Sequence, residues 1–338
     1  MNRNMKQWAA DIIAAQTKDP LPLLSFPCTS LMGVSVQQLV QDSELQARGM
    51  QLVADRVCSA AAVSLMDLSV EAEAFGSSIH VSRDEVPTVV GALVSEEAEA
   101  QALAVPEVGA GRTGICVEAI RKAAQTITHR PVLAGIIGPY SLASRLMDVS
   151  EAMIYCYDEP DMVHTVLEKC TAFLAAYCDA FRAAGADGVV MAEPLAGLLS
   201  PALAREFSHP YARQLIEGVQ RDDFCVIYHN CGNNVPLMLQ DIYGLGALGY
   251  HFGDAIHLMD VLPQAPADAL VMGNVSPAAQ FRGGTPESIA RVTKELLETC
   301  GKFPNFVISS GCDIPPQSPW ENIDAFFAAA ADYYRHQK

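Results

Sequence analysis

Three residues of this chain have the side chains and spacing to hold a metal ion: His229 and Cys231, in FCVIYHNCGNN, and Cys312, in FVISSGCDIPP. One imidazole and two thiolates form a donor set that suits zinc, and three protein ligands leave a position open for a substrate. The apolar run Phe224 to Tyr228 reads as a buried strand, and the Asn/Gly cluster behind it reads as a loop. Residues two apart in an extended chain point to the same side, so His229 and Cys231 converge at the strand's C-terminal end. A second strand-like run ends in Gly311, Cys312 and Asp313 and supplies the third ligand from far along the chain.

The chain has ten cysteines, and the default role of each is that of a small buried hydrophobe. Cys156, Cys170, Cys178 and Cys300 sit in helix-like sequence, and Cys225 lies inside its strand. Cys28, Cys58 and Cys116 have no His or Cys at ligand spacing. Cys231 and Cys312 differ because both follow a strand-like run and enter a Gly-containing loop.

The elements that must position these residues alternate, strand then helix. Strand-like runs occur in AAVSLMDL, PVLAGIIGP, GVVMAEP, FCVIYHN, LGALGYHF, ALVMGNVSP and FVISSGC. Helical spacing covers 1–16, 43–62, 96–103, 117–127, 163–184, 286–300 and 322–334, and Ser200-Pro201 opens a further helix as cap and first residue. Pro20 to Gly33 reads as a Pro-rich connector and VEAEAFGSSIHVSRDEVPTV as a loop-rich insertion. Continuous apolar strands between helices indicate a parallel sheet buried on both faces. The expectation is a single (β/α)8 TIM barrel over residues 1–338, with 1–58 as an N-terminal helical and loop extension; a doubly wound open sheet is the runner-up. No G-x-G-x-x-G follows a strand and no G-x-x-x-x-G-K is present, which argues against dinucleotide and P-loop sites.

In a barrel, active residues lie just after the strands. Those positions hold Asp67, Gly138, Glu193, His229 with Cys231, His251, Asn274 and Cys312. Glu193 has three roles open to it: metal ligand, a group that orients His229, or proton acceptor. Asp67 and Asn274 are substrate-binding candidates or loop caps. His251 is a substrate-binding candidate or a satisfied buried histidine. Arg282 is a candidate for an anionic substrate tail or an ordinary surface charge.

With 338 residues, half of them hydrophobic, the chain can bury a sizeable core. A formal charge of −17 opposes nucleic acid and anionic membrane surfaces as partners. No apolar stretch approaches the length of a membrane span, and the N-terminus lacks a signal-peptide core, so the expected location is cytoplasmic. Reduced thiols suit that compartment.

YHNCGNN, MGNVSP, FRGGTPESI and ISSGCDIPPQSPWENIDAF resemble the uroporphyrinogen decarboxylase superfamily, in particular its zinc-dependent methylcobamide:thiol methyltransferase branch. DLSVEAEAFG and GPYSLASRL extend the likeness over about 67–327. The resemblance implies a (β/α)8 barrel and matches His229, Cys231 and Cys312 to the family's zinc motif. It further implies a small thiol such as coenzyme M as acceptor and a methylated corrinoid (cobalamin) presented by a partner protein. No Asp-x-His-x-x-Gly corrinoid signature is present in the chain. Decarboxylation is the rival activity, yet members with it carry an Arg-rich N-terminal stretch, and this chain has no arginine from Met5 to Leu45. A non-enzymatic barrel binding tetrapyrrole or corrinoid, or a purely structural zinc site, is the alternative outside catalysis.

Overall fold

Long apolar runs become the strands of one curled sheet. The computed structural model describes residues 3–336. Its strands are β1 (Ala62–Val63), β2 (Ser78–His80), β3 (Thr88–Val90), β4 (Val132–Ile137), β5 (Gly188–Ala192), β6 (Cys225–Asn230), β7 (Gly249–Phe252), β8 (Leu270–Val275) and β9 (Phe306–Ser310). Seven of them pair in the order β1-β4-β5-β6-β7-β8-β9, and every pairing is parallel. Spatial order follows chain order without reversal, which removes the doubly wound alternative, since that fold reverses at a switch point. The result is a parallel α/β sheet curled close to a TIM barrel, with seven strands where eight were expected.

The missing position is explained by two prolines. Between β1 and β9 runs the segment 20–24, whose Pro20 carbonyl accepts from Ala60 N (2.9 Å) while Leu21 N donates to Ile308 O (3.0 Å). Leu23 adds bonds to Ser310 Oγ (3.0 Å) and from Ile314 N (2.9 Å). Pro20 and Pro22 have no N–H to give, so the segment touches both edges without forming a regular ladder.

Side-chain alternation sorts the strand residues into two cores. Leu133, Val190, Ala192, Cys225, Ile227, Met272 and Val307 pack together with Met5 and Ala9 of the helix Met5–Ala14, so this set faces inward and that helix covers one end. The intervening residues Ala134, Val189, Met191, Val226, Tyr228 and Ile308 join the larger cluster formed with the surrounding helices. The helix Pro160–Ala183 contributes Phe173, Leu174, Tyr177 and Phe181 to that cluster.

Expected helices appear with small shifts at their ends, except that the one expected over 43–62 stops at Arg56 and Ala62 already belongs to β1. Pro286–Cys300 has a Thr285 capping box, and Ser200 accepts from Leu203 N with Pro201 as the first helical residue. The leading helix runs Met5–Ala14; the first two residues of its expected range lie outside the described residues. The insertion after β1 is not only loop: it holds the helix Val70–Phe75 and the antiparallel hairpin β2–β3. Among the described residues no helix is long and apolar enough to cross a membrane.

Candidate metal centre

The inward parity that buries Cys225 and Ile227 carries His229 inward as well, and Cys231 follows one step beyond the strand end. β9 approaches from the other side of the sheet, and the loop after it brings Cys312. His229 Nε2 lies 3.4 Å from Cys312 Sγ, and the ligand atoms of His229, Cys231 and Cys312 all fall within 4.8 Å of one another. Tetrahedral zinc with Zn–N of about 2.1 Å and Zn–S of about 2.3 Å holds its N and S donors roughly 3.6 Å apart. The cluster therefore has the donor types and scale for zinc, and two thiolates with one neutral imidazole balance a divalent charge. His229 is buried while Cys231 and Cys312 are half-buried, so the sulfur side faces the opening.

The two thiols share a proton unequally. Cys312 is held well below the usual thiol range by the hydrogen bond from Cys231 and by His229 beside it. Cys231, which keeps the proton, is pushed up by that same bond and by burial. A thiolate is thus already favoured at Cys312, the form that ligates metals.

A relay behind His229 sets its tautomer. His229 and His251 are directly in register on β6 and β7, their Nδ1 atoms are 2.8 Å apart, and His251 Nε2 lies 2.7 Å from Ser309 Oγ. Ser309 Oγ donates its only hydrogen to the Leu21 carbonyl at 2.7 Å, so it must accept from His251 Nε2–H. His251 is buried and held well below its usual pKa, first by desolvation and then by His229, so its ring is neutral and Nδ1 is a lone pair. His229 must then donate from Nδ1–H, so in the neutral, metal-ligating form of the ring the lone pair is on Nε2, on the side of Cys312. Metal-ligating histidines are commonly oriented in this way. Of the two roles open to His251, substrate contact or satisfied buried histidine, the structure has the second, with both ring nitrogens partnered behind His229.

The backing of Cys231 depends on a glycine. A Cβ at Gly253 would lie 2.3 Å from Cys231 Cβ, so only glycine allows the two loops to touch. Asn274 pins the same loop, donating to Gly253 O (2.8 Å) and Ile256 O (2.6 Å). It acts as a loop anchor in this arrangement.

Glu193 does not join the sulfur and imidazole donors. Ala192 is paired with His229, so Glu193 falls beside Asn230 with outward parity. Its carboxylate accepts from Tyr140 N (2.8 Å), Ser141 N (3.0 Å) and Ser141 Oγ (2.8 Å) at the start of the helix Pro139–Met147. A Cβ at Gly138 would lie 2.2 Å from Glu193 Cγ, which shows how closely that turn is fitted to the carboxylate. Burial pushes Glu193 up to about 7 against these hydrogen bonds. Of the three roles open to Glu193, that of metal ligand is not met in this arrangement, because strand parity turns its carboxylate away from the donors.

Asp67 is buried in an ion pair with Arg112 and accepts from Ser69 N (3.1 Å) and Ser69 Oγ (2.6 Å). Arg282 is half-exposed, bonded to Gln317 Oε1 (2.5 Å) and 3.7 Å from Glu85. Neither reaches the metal cluster. Sequence reasoning missed Ser309 and Gly253; the inward parity of Ser309, shared with Val307, was the available signal.

Comparison with known proteins bears on the family and the fold. The family model "Uroporphyrinogen decarboxylase (URO-D)" matches residues 25–333. The methylcobamide:CoM methyltransferase MtbA of Methanosarcina acetivorans is 26% identical over 273 residues, covering 79% of this chain and 78% of that protein. A uroporphyrinogen decarboxylase of Coxiella burnetii is 27% identical over 291 residues, covering 81% and 77%. A solved methyltransferase from Methanosarcina mazei superposes with a TM-score of 0.86 at 25% identity, covering 98% of this chain and 99% of that one. Fold, inward-facing site and relatives together place this chain in the uroporphyrinogen decarboxylase family, as an enzyme of its methyltransferase branch.

Proposed function

We propose that the chain moves a methyl group between a methylated corrinoid carried by a partner protein and a small thiol, using zinc held by His229, Cys231 and Cys312. The convergence of those three side chains at the strand ends is the observation that carries this reading. Only three ligand groups gather among the described residues, which favours an open, catalytic site over a closed structural one. Zinc bound there would lower the pKa of an acceptor thiol from about 8.5 and so supply a thiolate nucleophile at neutral pH.

The chain's own residues set up that chemistry. The His251–Ser309–Leu21 relay holds the His229 lone pair on the cluster. Cys231 gives up the proton it now shares with Cys312 when both act as ligands. The half-buried sulfurs leave approach open from the mouth, while the buried His229 and the apolar layer beneath it exclude water from behind. Orientation and a dry site are what the barrel adds to the nucleophile. Decarboxylation is less well supported, because the N-terminal stretch lacks the arginines that would meet a tetrapyrrole's carboxylates.

The test is demethylation of methylcobalamin by the purified protein, followed by its visible spectrum, with coenzyme M and homocysteine as acceptors. Cys312→Ala and His229→Ala should each lose both bound zinc and thioether formation. Full turnover in either variant, or release of carbon dioxide from uroporphyrinogen by the wild type, would overturn the proposal.

A further inference from the structure

A cavity of about 360 Å³ opens between the β2–β3 hairpin and the helix Pro139–Met147, and none of the metal-cluster residues lines it. Met66, Leu68, Val86, Pro87, Val89 and Val149 give it apolar walls, and Arg145 is the only cation on its lining. A guanidinium offers five N–H donors in a fixed fork. The one protein bond of Arg145 runs from Nη1 to Ser141 O at 3.1 Å, and among the described residues it makes no ion pair. Three buried carboxylates act on its charge, Glu71 first, yet none pairs with it: Asp67 is bonded to Arg112 and Ser69, Glu193 to Tyr140 and Ser141, and Glu71 through one oxygen to Ile137 N, its other oxygen being unpartnered. Asp148, the acid on the cavity wall, accepts from Ser150 N.

A partly desolvated cation with most of its donors free is matched by an oxyanion, which takes the fork in a paired geometry. We propose that this cavity binds a small organic oxyanion, its carboxylate or sulfonate on Arg145 and its apolar body against Met66, Leu68, Val86 and Val89. A single guanidinium suits one singly charged head group and not a polyphosphate. The volume excludes a tetrapyrrole and accommodates a short-chain acid. The site stands apart from the metal reading and does not depend on it.

The experiment titrates the full-length protein, as purified and again after zinc chelation, with butane-1-sulfonate, butyrate, 1-butanol and butyltrimethylammonium by calorimetry. Both anions should bind saturably, the alcohol about tenfold or more weaker, and the cation not at all, given the usual strength of charge-assisted hydrogen bonds. Arg145→Gln should weaken sulfonate binding by about tenfold or more while sparing the alcohol. Val89→Trp, which fills the cavity from the hairpin side, should remove binding of both and serves as the deciding variant if Arg145→Gln fails to fold. Equal binding of alcohol and sulfonate, or anion binding unchanged by Val89→Trp, overturns the proposal. Loss of anion binding on chelation would move the ligand to the metal centre and overturn it equally.

Discussion

Replacing His251 by Phe removes the ring nitrogen that accepts from His229 Nδ1–H and puts a somewhat larger, apolar ring in its place. Loss of such an orienting partner commonly costs 10- to 100-fold in metal affinity. Here the loss is not complete, because the carbonyl of residue 251 also lies 3.2 Å from His229 Nδ1 and stays in place. The expected effect is therefore at the lower end, about tenfold weaker zinc binding, or roughly 1.4 kcal/mol. Ser309→Ala is the companion variant. It leaves His251 Nδ1 in place but strands the buried Nε2–H, so folding stability should fall by about 1–3 kcal/mol with zinc affinity changed less than about threefold. The assay is anaerobic competition for zinc against a chromophoric chelator, paired with chemical denaturation. If His251→Phe binds zinc as the wild type does and remains folded, the relay has no part in setting the ligand's tautomer.

Three further outcomes follow from the geometry. Burial pushes Glu71 from 4.5 up to about 7, with one oxygen bonded to Ile137 N and the other unpartnered. A raised carboxyl pKa leaves stability intact below about 4.5 and costs increasingly as pH rises to about 7, by up to roughly 3 kcal/mol at about 1.36 kcal/mol per unit. Glu71→Gln should flatten that part of the denaturation-versus-pH curve, and an unchanged slope would show that Glu71 ionises without penalty. Gly253→Ala should push Cys231 away and lower zinc stoichiometry below half while the far-ultraviolet circular dichroism stays native; full zinc occupancy would contradict the close packing of those loops. Arg282→Ala should shift KM for anionic and uncharged thiols alike by less than about twofold, as expected of a half-exposed surface charge. A selective rise for the anionic thiol would return Arg282 to the acceptor site.

Much of the architecture could be read from the chain because its strands are continuous apolar runs, and the metal triad could be read because His229, Cys231 and Cys312 follow two of them. What could not be read depends on neighbours in space. The His251–Ser309 contact joins β7 to β9 through a register that no local pattern encodes. Residues 20–24 look like a connector because Pro20 and Pro22 suppress the strand pattern, yet they bond to both edges of the sheet. The hairpin strands β2 and β3 are three residues each and largely exposed, too short to display alternation. The side to which Glu193 turns was hidden for a different reason: Val190 and Ala192 point inward, so the next residue turns outward to the helix Pro139–Met147.

The most direct measurement of the central claim is the zinc content of protein purified without added metal, with zinc X-ray absorption before and after coenzyme M is added. The account predicts about one zinc per chain with two sulfur neighbours and one imidazole from the protein, and a third sulfur once the thiol is present. A folded protein without zinc, or zinc whose sulfur count does not change on adding thiol, would contradict it.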